Sequence, residues 1–194
     1  MPLNQISAFE YVSILVSIIL GLGITQILSS LADLLYHHHK VKLYWPHVIW
    51  VVFIFFLHVQ DWFITYQLKD LPEWNIPQLM FVLAYPILLF TCAKMLLPTN
   101  ESEESYDMRK FYESQYRVIF TLVGLSVILS ILFNIYILKR PPAEQAVLIL
   151  FLLVLTGFIT RLLHKESMHR ALALVLLLAM IISVILEKDN WVIR

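Results

Sequence analysis

Apolar residues in this chain come in long blocks separated by short polar breaks. A helix needs about 20 consecutive, mainly apolar residues to cross a bilayer, and six blocks approach or exceed that length. The first covers about 8–36 and ends at His37, His38, His39 and Lys40. The second occupies 44–67, between Trp45-Pro46 and KDLPEWNIP, and the third 76–97, ahead of the acidic stretch PTNESEESYD. The fourth, fifth and sixth cover 110–138, 143–163 and 171–186. The fourth is apolar only from Val118. Its helix is expected to start earlier, because RKFYESQYR sets Arg109, Glu113 and Arg117 four residues apart, as a juxtamembrane foot. Lys139, Arg140, Pro141 and Pro142 predict a tight reversal, and RLLHKESMHR a second connection. Trp45, Trp62 and Trp74 fall near the expected water interfaces, where amphipathic rings settle. Pro86 removes a backbone donor near the middle of the third span.

The pattern predicts an all-α fold, a polytopic transmembrane bundle of about six helices. Residues 1–194 are read as a single domain, since the longest polar stretch, 98–117, is too short to bury a core of its own. Composition agrees: 60% of residues are hydrophobic and 14% charged, against roughly a quarter charged in a soluble domain. The formal net charge of +0 leaves no basic surface to neutralise phosphates, so nucleic acid is not an expected partner. The single cysteine, Cys92, excludes an internal disulfide. The opening MPLNQISAFEYV has no Lys or Arg ahead of its apolar stretch and reads as a retained helix rather than a signal peptide.

An even number of spans places both termini on one side. Lys40, Lys42, Lys94, Arg109, Lys110, Arg117, Arg161, Lys165 and Arg170 then share the opposite side and outnumber the remaining basic residues. The positive-inside rule puts that richer side in the cytoplasm and both termini outside. Arg117, Arg161 and Arg170 border this face, where Asp33, Glu113 and Glu166 are available as ion-pair partners. An inverted repeat of two three-helix halves is one possible organisation, although the histidine of span two has no counterpart in span five.

Two groups of polar residues lie inside the spans. In span one, Ser13, Ser17, Gly21, Thr25 and Ser29 recur every four residues and continue to Asp33. Such a ridge lets helices approach closely and bond through hydroxyls, so it reads either as a packing seam or as the lining of a polar pathway. In span two, His47, Val51, Ile54, His58, Asp61 and Thr65 follow steps of four and three. His58 and Asp61 lie about 4 Å and about 8 Å beyond the midpoint of that span. An ionisable residue at such depth costs at least ~2.5 kcal/mol and normally faces protein or water. Asp61 is placed to accept the His58 ring proton and fix its tautomer, which would let the pair change charge near neutral pH. Gln60 and Asn134 fall at a similar depth, giving a candidate intramembrane cluster of His58, Asp61, Asn134 and Gln60. The alternative is that the pair acts only as interhelical adhesive.

Other polar positions carry blander readings. Glu10 and Glu144 sit near helix N-termini, where carboxylates are favourable, and Gln145 follows at the same level. His37, His38 and His39 cannot all face one ion, and bis-histidine haem within one chain lacks a partner for His58, so no metal and no cofactor is expected. Asn100, Glu101 and Ser102 form a sequon on a segment placed in the cytoplasm. No serine elbow, HExxH, Walker loop or GxGxxG occurs.

The block FEYVSILVSIILGLGITQIL, followed by YWPHVIW, resembles the opening of a family of small bacterial polytopic inner-membrane proteins with no assigned activity. The resemblance covers roughly the first third of the chain. It implies a bacterial inner (plasma) membrane location and no substrate, cofactor or catalytic residue. The helix-packing ridge, the compact loops and the missing catalytic motifs make the expected function that of a non-enzymatic integral membrane protein that senses, signals or perturbs the bilayer. Its expected partners are the lipid bilayer and further copies of itself or another membrane subunit. Two alternatives stand beside it: a small transporter or proton-coupled channel using His58 and Asp61, and a membrane-embedded enzyme or redox subunit.

Overall fold

The computed structural model describes residues 7–71, 73–98 and 106–186. Six helices run through it: α1 (Ala8–Tyr36), α2 (Trp45–Thr65), α3 (Ile76–Leu96), α4 (Met108–Tyr136), α5 (Ala146–Ile159) and α6 (Glu166–Leu186). A 3₁₀ turn at Tyr66–Asp70 prolongs α2, and another at Pro142–Gln145 leads into α5, so all six elements are long and apolar enough to cross a membrane. Two short strands, β1 (Val41–Lys42) and β2 (Tyr106–Asp107), pair in parallel and tie the α1–α2 connection to the α3–α4 connection. The end of the bundle that carries them is termed the strand end, and the opposite end, where α1 begins and α6 finishes, the terminal end.

Local chemistry explains the helix limits. Ser7 and Glu10 form a reciprocal capping box on α1, with Ser7 N donating to Glu10 Oε2 at 2.6 Å and Glu10 N to Ser7 Oγ at 3.1 Å. Glu10 is thus accounted for as a cap. Asn75 caps α3, and Asp107 caps α4 by accepting from the Arg109 and Lys110 amides. Two connections differ from the sequence expectation. Helix α5 stops at Ile159 rather than near 163, because Arg161 adopts a left-handed backbone with φ 64°, a conformation that ends a helix. Helix α6 begins at Glu166 rather than near 171: the polar segment ESMHR is its first turn, held by an ion pair between Glu166 and Arg170. The sequon residues Asn100, Glu101 and Ser102 lie outside the described residues.

The expected ridge of Ser13, Ser17, Gly21, Thr25 and Ser29 is not the packing seam within the chain. The buried face of α1 is instead Val12, Val16, Leu20, Gly23, Ile27 and Ser30, while Thr25, Ser29 and Asp33 are exposed. Helical geometry gives the reason. At about 100° per residue, a strict four-residue step advances about 40° each time and winds off any one side, whereas alternating steps of four and three stay on it. The close approach falls at Gly23. A Cβ there would lie 2.1 Å from His58 Nε2 of α2, whereas a Cβ at Gly21 would meet nothing within 4 Å.

Helices α1, α2 and α3 contact one another, and α3 passes the packing on to α4. The last three helices are arranged otherwise: α5 rests on α4, while α6 rests on α2. The two halves are therefore packed differently, and the side-by-side seam expected of consecutive helices is not formed between α5 and α6. Much of the outward surface is apolar, with Val147 76%, Leu150 62% and Val175 60% exposed, as suits helices bathed in lipid.

Gly23→Ala is expected to destabilise the folded protein by about 1–3 kcal/mol, because the fully buried His58 ring has nowhere to retreat. Gly21→Ala should be neutral within about 0.5 kcal/mol. Thermal unfolding of the detergent-solubilised variants, followed by size-exclusion homogeneity, checks this, and equal midpoints for the two would refute the contact.

Candidate functional site

A cavity of about 870 Å³ lies between α2, α3, α4, α5 and α6, within the range typical of small-molecule sites. Its lining follows α6 from Ser167 to Ser183, roughly 24 Å at the helical rise, so it spans most of the hydrocarbon thickness. It owes its existence to the packing just described. Where α5 leans on α4 and α6 on α2, the gap between them is left as a slot, edged by the exposed residues Val147 and Leu150 on one side and Val175 and Ala179 on the other.

The polar lining is concentrated toward the terminal end. Gln60 and Asp61 of α2 face the slot together with Tyr85 of α3 and Ser130 and Asn134 of α4. Asp61 is partly exposed, and its exposure is to this space. Its carboxylate makes no hydrogen bond or ion pair among the described residues, and Tyr85 borders the same cavity. Asn134 is engaged elsewhere, donating through Nδ2 to Gln145 Oε1 at 2.8 Å, and the buried Gln145 thereby fastens the start of α5 to α4. Thr65 and Ser126 return their hydroxyls to the backbone, at Asp61 O and Val123 O.

Three of the four residues expected to cluster, Gln60, Asp61 and Asn134, thus border one cavity, and His58 does not. His58 is fully buried and points toward α1. Its Nδ1 donates to the Ile54 carbonyl at 2.7 Å, which fixes the tautomer and leaves Nε2 against Gly23 without a hydrogen-bond partner among the described residues. The expected His58–Asp61 bond is not made. Residues three apart on a helix differ by about 60° in direction, enough here to send one side chain to α1 and the other to the slot.

Toward the strand end the cavity runs beside a cluster of rings and reaches Leu163, Ser167 and Met168. Phe158 of α5 lines it and packs on His169 of α6 with centroids 4.7 Å apart. His169 also lies against Tyr116 and Phe120 of α4, and its Nδ1 is 2.9 Å from the Tyr112 hydroxyl. Beside this group, the buried His47 donates from Nε2 to the Leu96 carbonyl at 2.7 Å, satisfying one of the unpaired carbonyls at the end of α3. The outer rim is ionic. Arg109 pairs with Glu113 at 2.9 Å and reaches across to Glu166 at 2.8 Å, whereas Arg117 donates to the Ile159 carbonyl at 3.0 Å.

Sequence reasoning missed His169, because the polar run RLLHKESMHR was read as a connection. The three-residue step from Glu166 to His169, followed by Leu172 and Leu176, is the signal that places it on the inward face of α6. His37 and His38 turn back onto the α1 backbone at Asp33 O and Leu35 O, and among the described residues no three His, Cys, Asp or Glu side chains converge as a metal site would require. Compared with family models, curated proteins and solved structures, the chain finds no match. The geometry of the slot is therefore what bears on function.

Tyr112→Phe is expected to cost about 1 kcal/mol by removing the hydroxyl bonded to His169, and His169→Ala about 2–4 kcal/mol by emptying the ring cluster. Chemical or thermal unfolding in a fixed detergent measures both. A His169→Ala protein as stable as the parent would contradict the role given to this cluster.

Proposed function

We propose that this chain is a non-enzymatic multi-pass membrane protein that senses an amphiphile dissolved in the bilayer by binding it between α5 and α6. The observation that carries the reading is the slot itself: tall, mainly apolar, bordered by lipid-facing residues of two helices that meet through Phe158 and His169, and with most of its polar groups toward the terminal end. Apolar walls with a few convergent polar groups are the usual make-up of a small-molecule site. Access from the bilayer plane suits a ligand that partitions there.

The same reading places the protein in the bacterial inner membrane, with the strand end, which carries Arg109, Arg117, Arg161 and Arg170, in the cytoplasm and both termini outside. The exposed apolar faces leave room for assembly with further copies or with another membrane subunit, through which occupancy of the slot would be relayed. A transporter or proton-coupled channel draws support from Asp61 on the cavity. It is the weaker reading, because His58, the intended partner of Asp61 in proton exchange, faces α1. A membrane-embedded enzyme or redox subunit has less support still, as the slot brings together no nucleophile with an adjacent base.

A single-chain amphiphile carrying a photoreactive group on its tail tests the proposal. On irradiation in lipid nanodiscs it should label slot-lining peptides of α5 and α6, and unlabelled amphiphile should compete. Ala179→Trp, at the exposed edge of the slot, should lower that labelling about fivefold or more, equivalent to roughly 1 kcal/mol of lost binding. Labelling spread evenly over all lipid-facing helices and unaffected by Ala179→Trp would reject the reading.

A further inference from the structure

Resting on the amphiphile-binding reading, we infer that the slot selects a single-chain molecule with a small, hydrogen-bond-donating head that bears no negative charge, a primary amine above all. The head is seated at Gln60, Asp61 and Tyr85, and the chain runs toward Phe158 and Leu172.

Charge inventory is the first argument. Among the described residues, the cavity lining contains the carboxylate of Asp61 and no Lys, Arg or His. The described Lys and Arg residues lie near the two ends of the bundle: Lys40, Lys42, Lys94, Arg109, Lys110, Arg117, Arg161, Lys165 and Arg170 toward the strand end, and Lys69, Lys139 and Arg140 at the terminal end. An acid head beside Asp61 could not ionise together with it without setting two like charges side by side in a medium of low dielectric, where they repel far more strongly than in water. An ammonium head supplies the counter-charge that the chain itself does not.

Hydrogen-bonding capacity is the second. Asp61, Gln60, Tyr85 and Ser130 all border the cavity, and none makes a side-chain hydrogen bond among the described residues. Asn134 and Thr65, at the same level, are already committed. The uncommitted set offers two carboxylate oxygens, an amide oxygen and two hydroxyls as acceptors, and the Gln60 amide N–H groups and the two hydroxyls as donors; of these groups only the Asp61 carboxylate brings no donor of its own. A donor head answers it.

Depth is the third. Asp61 lies about 8 Å beyond the midpoint of its span, roughly 7 Å inside the boundary of a hydrocarbon core about 30 Å thick. A bilayer phospholipid keeps its phosphate at the interface, and its head cannot descend that far without losing its hydration. A head of one or two polar atoms can.

The test is competition in nanodiscs of neutral lipid, using the photoreactive amphiphile as reporter and three competitors of equal chain length: dodecylamine, dodecanol and dodecanoate. Dodecylamine should displace it best and dodecanol next, with dodecanoate weaker than the amine by about tenfold or more, the equivalent of one charge-assisted hydrogen bond. In Asp61→Asn the amine should lose its advantage over the alcohol while the alcohol still competes. Equal or better competition by dodecanoate in the parent protein overturns this inference and leaves the amphiphile reading intact. An amine preference that persists in Asp61→Asn overturns the role of Asp61, and failure of all three to compete overturns both. Should Asp61→Asn not fold, the order of the three competitors on the parent protein still decides the matter.

Discussion

Hydrocarbon offers no hydrogen bonds, and this constraint organises the whole molecule. Every backbone group inside the membrane must be paired within its own helix, so the spans are helices and their ends are finished by Ser7, Asn75 and Asp107 caps or by the left-handed residue Arg161. Polar side chains obey the same rule. Thr65, Ser126 and His58 return to carbonyls of their own helices, His47 completes the end of a neighbouring one, and Asn134 pairs with Gln145. Against that background, Asp61 is the one acidic side chain among those described that line the cavity, where it stands with Gln60, Tyr85 and Ser130 without a side-chain hydrogen bond among the described residues.

The cavity follows from unequal packing in the two halves. In the first half α1 closes against α2 and α3, with Gly23 and His58 at their closest approach. In the second, α5 and α6 each lean on a different neighbour, and only their strand-end residues are drawn together, through Phe158 and His169. The ring cluster thus flanks the strand-end part of the slot, and the polar group around Asp61 lies toward its far end.

Much of the architecture is legible in the sequence, because span length and the absence of charge are one-dimensional properties. Residues 8–36 and 76–97 match α1 and α3 almost to the residue. The failures occur where direction rather than depth matters. The depth of Gln60, Asp61 and Asn134 was sufficient to group them, but the 60° between His58 and Asp61 decides which neighbour each one meets. That neighbour depends on how the helices are arranged. The ridge of Ser13, Ser17, Gly21, Thr25 and Ser29 failed through the same geometry, since its strict period drifts around α1. His169 was concealed because hydropathy marks where a span leaves the lipid, which is not where its helix starts; Glu166 and Arg170 stabilise a turn that polarity alone reads as a connection.

The small parallel pairing of Val41–Lys42 with Tyr106–Asp107 carries a mechanical consequence. It welds the hairpin between the first two helices to the one between the third and fourth, while Arg109 and Glu166 bind the last hairpin to the same rim. Pinned there, the helices resist sliding past one another. Splaying about that clasp would open the helical bundle most at its opposite end.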